Sequence, residues 1–334
     1  MNLRAGLLPF LALLGPACTR SEAKGEKSPP PTAARDWTAH PAIVELDDAD
    51  EIYALSDPHG GYEALGQLLA ANKLLSGFSA DPKQADKVEW TGGKATLVVA
   101  GDLIDKGAES LGVIDLLRAL QRRAAAKGGH VIVTLGNHEA EFFVDPNNKK
   151  ATSTGDDATG IDVELAARGI EPGDLASGAD KAGRGRWLLD LPFGVRVKKW
   201  FFAHGGNTGG DAITALGKRL QKSIDSNGYA DKDVTGKDSI LEAQGWYGKP
   251  DGDTAKTYAA ALGVKHIVFG HDPGAFGDHG HILASKDGSL VKIDVEMGLH
   301  DKRSTTGGLL LHIKTKGNDS AEILDASGNA KPLL

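Results

Sequence analysis

From about residue 43, short apolar runs alternate with stretches whose apolar residues recur at helical spacing. Residues 51–56, 95–100, 130–135, 197–203 and 265–269 read as buried strands, each ending in polar residues and glycine. Residues 62–75, 109–126 and 253–262 carry the helical pattern between them, and residues 290–295, 308–313 and 321–324 predict further strands. Alternation of this kind predicts an α/β sandwich. Residues 146–185, weakly patterned and rich in Gly and Asp, predict an insertion with one short helix near 161–168. No internal repeat is present.

Composition places the chain among ordinary globular proteins, with 40% hydrophobic and 25% charged residues. Its 44 glycines in 334 residues are nearly twice the usual ~7%, which implies many tight turns and loops passing close to a ligand. Thirty-eight Lys and Arg against 45 Asp and Glu give a formal charge of −7. With no basic footprint, nucleic acid is excluded as a partner, and an anionic substrate must be held locally. The single cysteine, Cys18, excludes an intramolecular disulfide and a cysteine-based zinc site.

The strand ends share one chemistry. They read Asp57-Pro-His59-Gly-Gly61, Gly101-Asp102-Leu-Ile-Asp105-Lys106-Gly107, Gly136-Asn137-His138-Glu139, His204-Gly205-Gly206 and Gly270-His271. In an open α/β sheet the carboxyl ends of strands line a common crevice, so Asp57, His59, Asp102, Asn137, His204 and His271 are delivered to one place. Carboxylate, amide oxygen and imidazole without thiolate suit Mn, Fe or Zn. Six such ligands with one shared carboxylate suit two divalent transition-metal ions about 3.5–4 Å apart.

These five motifs, in this order across residues 52–272, resemble the calcineurin-like metallophosphatases. The resemblance implies a metallophosphatase-type β-sandwich flanked by helices, in one domain over residues 43–330. It assigns Asp57, His59 and Asp102 to a first ion and Asp102, Asn137, His204 and His271 to a second, with manganese the expected metal and Fe or Zn the alternatives. Where the wider family has a second histidine after Gly-His, this chain has Pro273, as in the phosphoprotein phosphatase branch. Within that branch Trp90-Thr-Gly-Gly93, Phe202-Ala-His-Gly-Gly206 and Trp246-Tyr247-Gly248 are similar to the bacterial Shewanella-like phosphatases. Lys106 replaces the family arginine, and Trp246-Tyr-Gly-Lys249 lacks the arginine of that group.

Such a constellation implies hydrolysis of phosphate monoesters by direct attack of a metal-bridging hydroxide. His138 is expected to protonate the leaving oxygen, and Asp105 resembles the family carboxylate that holds its imidazole. Lys106, Arg184, Arg186 and Tyr247 are the candidate substrate-phosphate residues. The expected substrate is a phosphorylated protein or small phosphomonoester, with a phosphotyrosine preference possible. A phosphodiesterase or nucleotide hydrolase on the same metal frame is the alternative, followed by a non-catalytic lipid-anchored binding protein.

Arg4, the apolar run 7–14 and Gly15-Pro-Ala-Cys18 form the three parts of a secretory signal. The segment resembles a bacterial lipoprotein signal, with Gly15 where Leu is usual. Residues 1–18 are thus expected to be removed up to a lipidated Cys18, and 19–42 to form a flexible tether. This places the protein in the periplasm or on the outer membrane surface of a bacterium, the alternative being soluble secretion.

Overall fold

Residues 95–100 and 130–135 are apolar on both faces, and strands of that kind need cover on both sides. The computed structural model, which describes residues 35–148, 160–297, 307–317 and 319–334, supplies it with two facing six-stranded sheets. In the first, strands β2 (Glu51–Leu55), β5 (Thr96–Ala100) and β6 (His130–Thr134) run parallel, with Ile52 level with Thr96 and Thr96 level with His130. Antiparallel β12 (Leu309–Lys314), β13 (Ser320–Asp325) and β14 (Ala330–Pro332) extend it beside β2. The second sheet orders β1 (Ile43–Leu46), β7 (Gly194–Val197), β8 (Trp200–Ala203), β9 (His266–Phe269), β11 (Leu290–Lys292) and β10 (Leu283–Ala284). A two-stranded ribbon, β3 (Leu75–Ser76) with β4 (Glu89–Trp90), stands apart.

The core lies between the sheets, where β5 meets β8 and β6 meets β7, and Phe201, Phe202, Phe269, Val98 and Val99 are wholly buried. Helices α1 (Tyr62–Ala71) and α2 (Ser110–Ala125) follow β2 and β5. Helix α3 (Asn137–Val144) starts directly after β6.

Several expectations are redrawn. The run 197–203 is a hairpin rather than one strand, because the chain turns at Lys198, whose φ is +51°. Helix α1 stops at Ala71, as Asn72 caps it and Lys73 takes a φ of +59°. A helix over Ile213–Asn227, absent from the sequence reading, buries only Leu216, Leu220 and Ser223. Among its described residues the insertion holds three short helices, the expected one at Ile161–Ala167 and two more at Pro172–Ser177 and Arg184–Leu189. The two unexpected ones are six residues each, too brief for periodicity to declare.

The signal segment 1–18 with Cys18, the tether as far as residue 34, and insertion residues 149–159 lie outside the described residues. Residues 35–42 are not tether. Arg35 donates to the carbonyls of Leu189 and Leu191 at 3.0 and 2.9 Å and stacks on Trp37. Among the described residues no helix is long and apolar enough to cross a membrane.

Candidate metal centre

The backbone at the strand ends is bent into conformations that most side chains avoid. Asp57, His59, Asp102, Asp105, Lys106 and His271 all have φ between +39° and +68°, a strain of roughly 1–3 kcal/mol each that persists only where surroundings enforce it. The enforcement is visible. Asp57 N–H donates to Gly101 O at 3.1 Å and His59 N–H to Asp102 O at 2.9 Å, stitching the β2 and β5 loops together. Buried Glu139 then accepts four backbone N–H groups, from Gly136 (2.9 Å), Asp102 (3.1 Å), Leu103 (2.7 Å) and Ile104 (3.1 Å). Gly136 is required by this closeness, since a Cβ there would sit 2.2 Å from both the nitrogen and Oδ1 of Asp102.

The five loops bring Asp57, His59, Asp102, Asn137, His138, His204 and His271 together, and all but His271 are buried. Each imidazole has one nitrogen committed outward. His59 Nδ1 lies 2.9 Å from Ile104 O, His204 Nδ1 2.9 Å from Ala100 O, and His271 Nε2 3.0 Å from Glu242 O. A ring nitrogen facing a carbonyl must carry the proton, so the other nitrogen of each ring turns a lone pair inward. There His59 Nε2 is 3.4 Å from Asp102 Oδ2 and 3.8 Å from Asp57 Oδ1. His204 Nε2 is 3.2 Å from Asp102 Oδ1.

Two donor groups share Asp102: His59, Asp102 and His138, and Asp102, His204 and His271, each within 4.8 Å. Asn137 tests their fit to a cation. Its Oδ1 is 2.9 Å from His204 Nε2, and an NH2 in its place would reach His271 Nδ1 at 3.1 Å and both Asp102 oxygens at 3.2 Å. Kept inward, the amide oxygen faces only acceptors, a convergence of lone pairs that a divalent cation reconciles. Asp57 stands beside the first group, its Oδ1 3.8 Å from His59 Nε2, while its two oxygens receive His271 N–H at 3.3 and 3.1 Å.

His138 stands differently. Its Nδ1 is 2.7 Å from Asp105 Oδ2, and its Nε2 points toward Asp102 at 3.9 Å. Burial opposes its charge, but Asp102 and the Asp105 hydrogen bond outweigh that and raise its pKa to about 8. Burial first, and then the neighbouring His204 ring, hold His271 down to about 3. Burial and Asp102 push Glu139 up to about 7 against the pull of its N–H donors.

The candidate phosphate-binding residues part company. Lys106 Nζ reaches the centre, 2.8 Å from His59 Nε2. Arg184 and Arg186 do not serve as expected, because both guanidinium forks are already filled. Arg184 grips Asp115 of α2 at 2.8 and 2.6 Å, and Arg186 pairs with Asp190 one helical turn on. Tyr247 is corrected too: it is 6% exposed, packed among Trp246, Phe269 and Phe276 rather than lining a crevice.

Sequence reasoning missed Glu139 as a loop organiser, and it missed two further buried groups. Lys292 of β11 is wholly buried and donates to Pro273 O at 2.8 Å and Asp278 O at 2.7 Å, fastening the segment after His271. Asp294 lies two residues beyond the Lys292–Phe269 pair, and burial followed by repulsion from Asp57 holds its pKa well above the carboxylate range. A charged residue at every second position of an apolar strand, 292 and 294, was the available signal.

Residues 51–275 match the calcineurin-like phosphoesterase family. An uncharacterized protein of Schizosaccharomyces pombe is 37% identical over 89 residues, 26% of this chain and 24% of that protein. Shewanella-like protein phosphatase 2 of Arabidopsis thaliana is 29% identical over 138 residues, 41% of this chain and 33% of that protein. The chain thus spans a third or less of these relatives' length. Among solved structures, a cold-active protein-tyrosine phosphatase from a psychrophilic Shewanella species superimposes with a TM-score of 0.64 at 20% identity, covering 88% of this chain and 82% of that one. The match across 51–275, over the same five loops that converge on Asp102, makes the chain a member of the calcineurin-like phosphoesterase family.

Proposed function

We propose that the chain is a metal-dependent phosphomonoesterase, and within that class a phosphoprotein phosphatase. The observation that carries the reading is the His138–Asp105 pair at a centre where His59 on one side and His204 and His271 on the other converge on Asp102. Asp57, His59 and Asp102 would hold one ion and Asp102, Asn137, His204 and His271 the other, with manganese the proposed metal. Bound there, the ions supply Lewis acidity and an acidified water for in-line attack on phosphorus. The chain's own groups do the rest. His138 delivers the proton from Nε2 to the departing oxygen, and Asp105 keeps Nδ1–H aimed and favours the charged ring. Lys106 supplies a point charge for the phosphate, without the two-pronged grip of a guanidinium. Hydrolysis of p-nitrophenyl phosphate but not its bis ester, dependent on Mn²⁺, supports the reading, and the reverse selectivity replaces it with a phosphodiesterase.

A phosphotyrosine preference is proposed within it. The similar Shewanella structure is a protein-tyrosine phosphatase, and a weakened phosphate grip shifts binding onto the group that carries the phosphate. With Tyr247 withdrawn into the core, the aromatic surface left is half-buried Trp246, stacked on Tyr258 with ring centres 5.3 Å apart. Matched phosphopeptides compared by kcat/KM test it, and a tenfold preference for phosphoserine or phosphothreonine overturns it. Anchoring through a lipidated Cys18 is likewise a proposal, which intact mass of membrane-extracted protein decides.

A further inference from the structure

Asp105 has two carboxylate oxygens, and they have separate partners. Oδ2 receives His138 Nδ1 at 2.7 Å, and Oδ1 receives the backbone N–H of Ile161 at 3.3 Å. The second donor comes from 56 residues away, from the first position of the insertion helix Ile161–Ala167. Asp105 itself is wholly buried with a φ of +68°. No rotation toward water can replace a lost donor there.

The insertion is fastened where this donor must stand. Glu164, on the same helix, accepts Leu111 N–H of α2 at 2.8 Å. Further along, Arg184 forks onto Asp115, and Arg118 donates to Ala182 O at 2.9 Å. Ile161 fills the core below, with no exposed surface. Helix α2, which begins five residues after Asp105, is thereby the common mount for the insertion and for the loop carrying Asp105.

We infer that the backbone N–H of Ile161 is a positioning group for proton delivery: it fixes the Asp105 carboxylate, which in turn aims the His138 imidazole. The insertion then contributes to turnover without touching substrate. The inference rests on His138 being the acid, and it assigns Arg184 a mechanical task, fastening the end of the insertion to α2, in place of the phosphate contact expected of it.

A proline test is available because residue 161 is the first of its helix, where proline is tolerated, and Gly160 is extended at ψ 166°, as a residue before proline must be. Ile161→Pro removes the donor. Ile161→Ala removes more of the side chain but keeps the N–H. A backbone ester at 161, introduced by nonsense suppression with the matching hydroxy acid, removes the donor with the side chain intact and otherwise weakens only the Gly160 carbonyl, which accepts Val163 N–H at 3.2 Å. In the full chain loaded with Mn²⁺, kcat is measured across aryl and alkyl phosphates of rising leaving-group pKa.

The expected result is that proline and ester variants lose about tenfold in kcat on poor leaving groups, a fraction of the 10²–10⁴ that a general acid contributes in full, with little loss on nitrophenyl phosphate and little change in KM. The alanine variant should keep the wild-type leaving-group dependence even if it melts earlier. A uniform loss across leaving groups in the ester, or the same pattern in alanine and ester, overturns the inference. Failure of the underlying reading looks different: the unaltered chain would then hydrolyse no monoester, or His138→Asn would leave its leaving-group dependence unchanged.

Discussion

The same three strands, β2, β5 and β6, have two polar ends, and only one is built as a site. At their amino ends Asp48, Asp50, Glu51, Lys94 and His130 line a hollow of about 440 Å³. All five are exposed. At the carboxyl ends Asp57, His59, Asp102, Asp105, Asn137 and His138 are at most 8% exposed, on loops whose backbone is strained and cross-linked through Glu139. Both ends offer carboxylates and imidazole. The difference lies in desolvation: an exposed carboxylate is satisfied by water, whereas a buried cluster of acceptors is stable only with a proton or a cation among them.

The comparison breaks most sharply at Asp102. Asp102→Asn should empty both donor groups by elemental analysis and lower activity about 10³-fold or more, a barrier rise near 4 kcal/mol. At most one ion in active unaltered protein would break the shared-carboxylate picture.

His138→Asn should retain the metals and lose about 10² to 10⁴ in kcat on poor leaving groups, shrinking for nitrophenolate. A raised imidazole pKa keeps the acid protonated through neutrality, so turnover should fall as pH rises through about 8. Ions on Asp102 weaken the larger of the two raising causes and move this limb to or below that value. The limb should vanish in the variant, and its persistence would assign the proton elsewhere.

Glu139→Gln turns an NH2 group against two of the four backbone donors. The expected cost is about 2–3 kcal/mol by denaturant unfolding, the scale of a hydrogen bond to a charged group, with looser metal retention. Stability unchanged within 0.5 kcal/mol would mean that the loops hold without it.

The smallest effect is expected at the other end. Asp50→Asn and His130→Ala should change stability by less than about 0.5 kcal/mol and leave metal content intact. A metal lost from either variant would show that the amino-end hollow is a site after all.

By itself the sequence determined the sandwich and the six metal-competent side chains. Both follow from local rules: buried parallel strands read as apolar runs, and their ends place whatever residue comes next in the crevice. Asp57, His59, Asp102, Asn137, His204 and His271 each lie within a few residues of a strand end, so contiguity sufficed. Tertiary structure decided everything that depends on a distant partner. Arg184 and Arg186 looked available for phosphate until Asp115, 69 residues from Arg184, and Asp190 took their forks. Tyr247 looked like surface until Phe269 and Phe276 closed around it. Glu139 and Lys292 looked like ordinary charges, and burial made them organisers of the loops. The Ile161 amide has no side-chain signature at all, because a backbone N–H acquires a role only from the group that the fold sets in front of it.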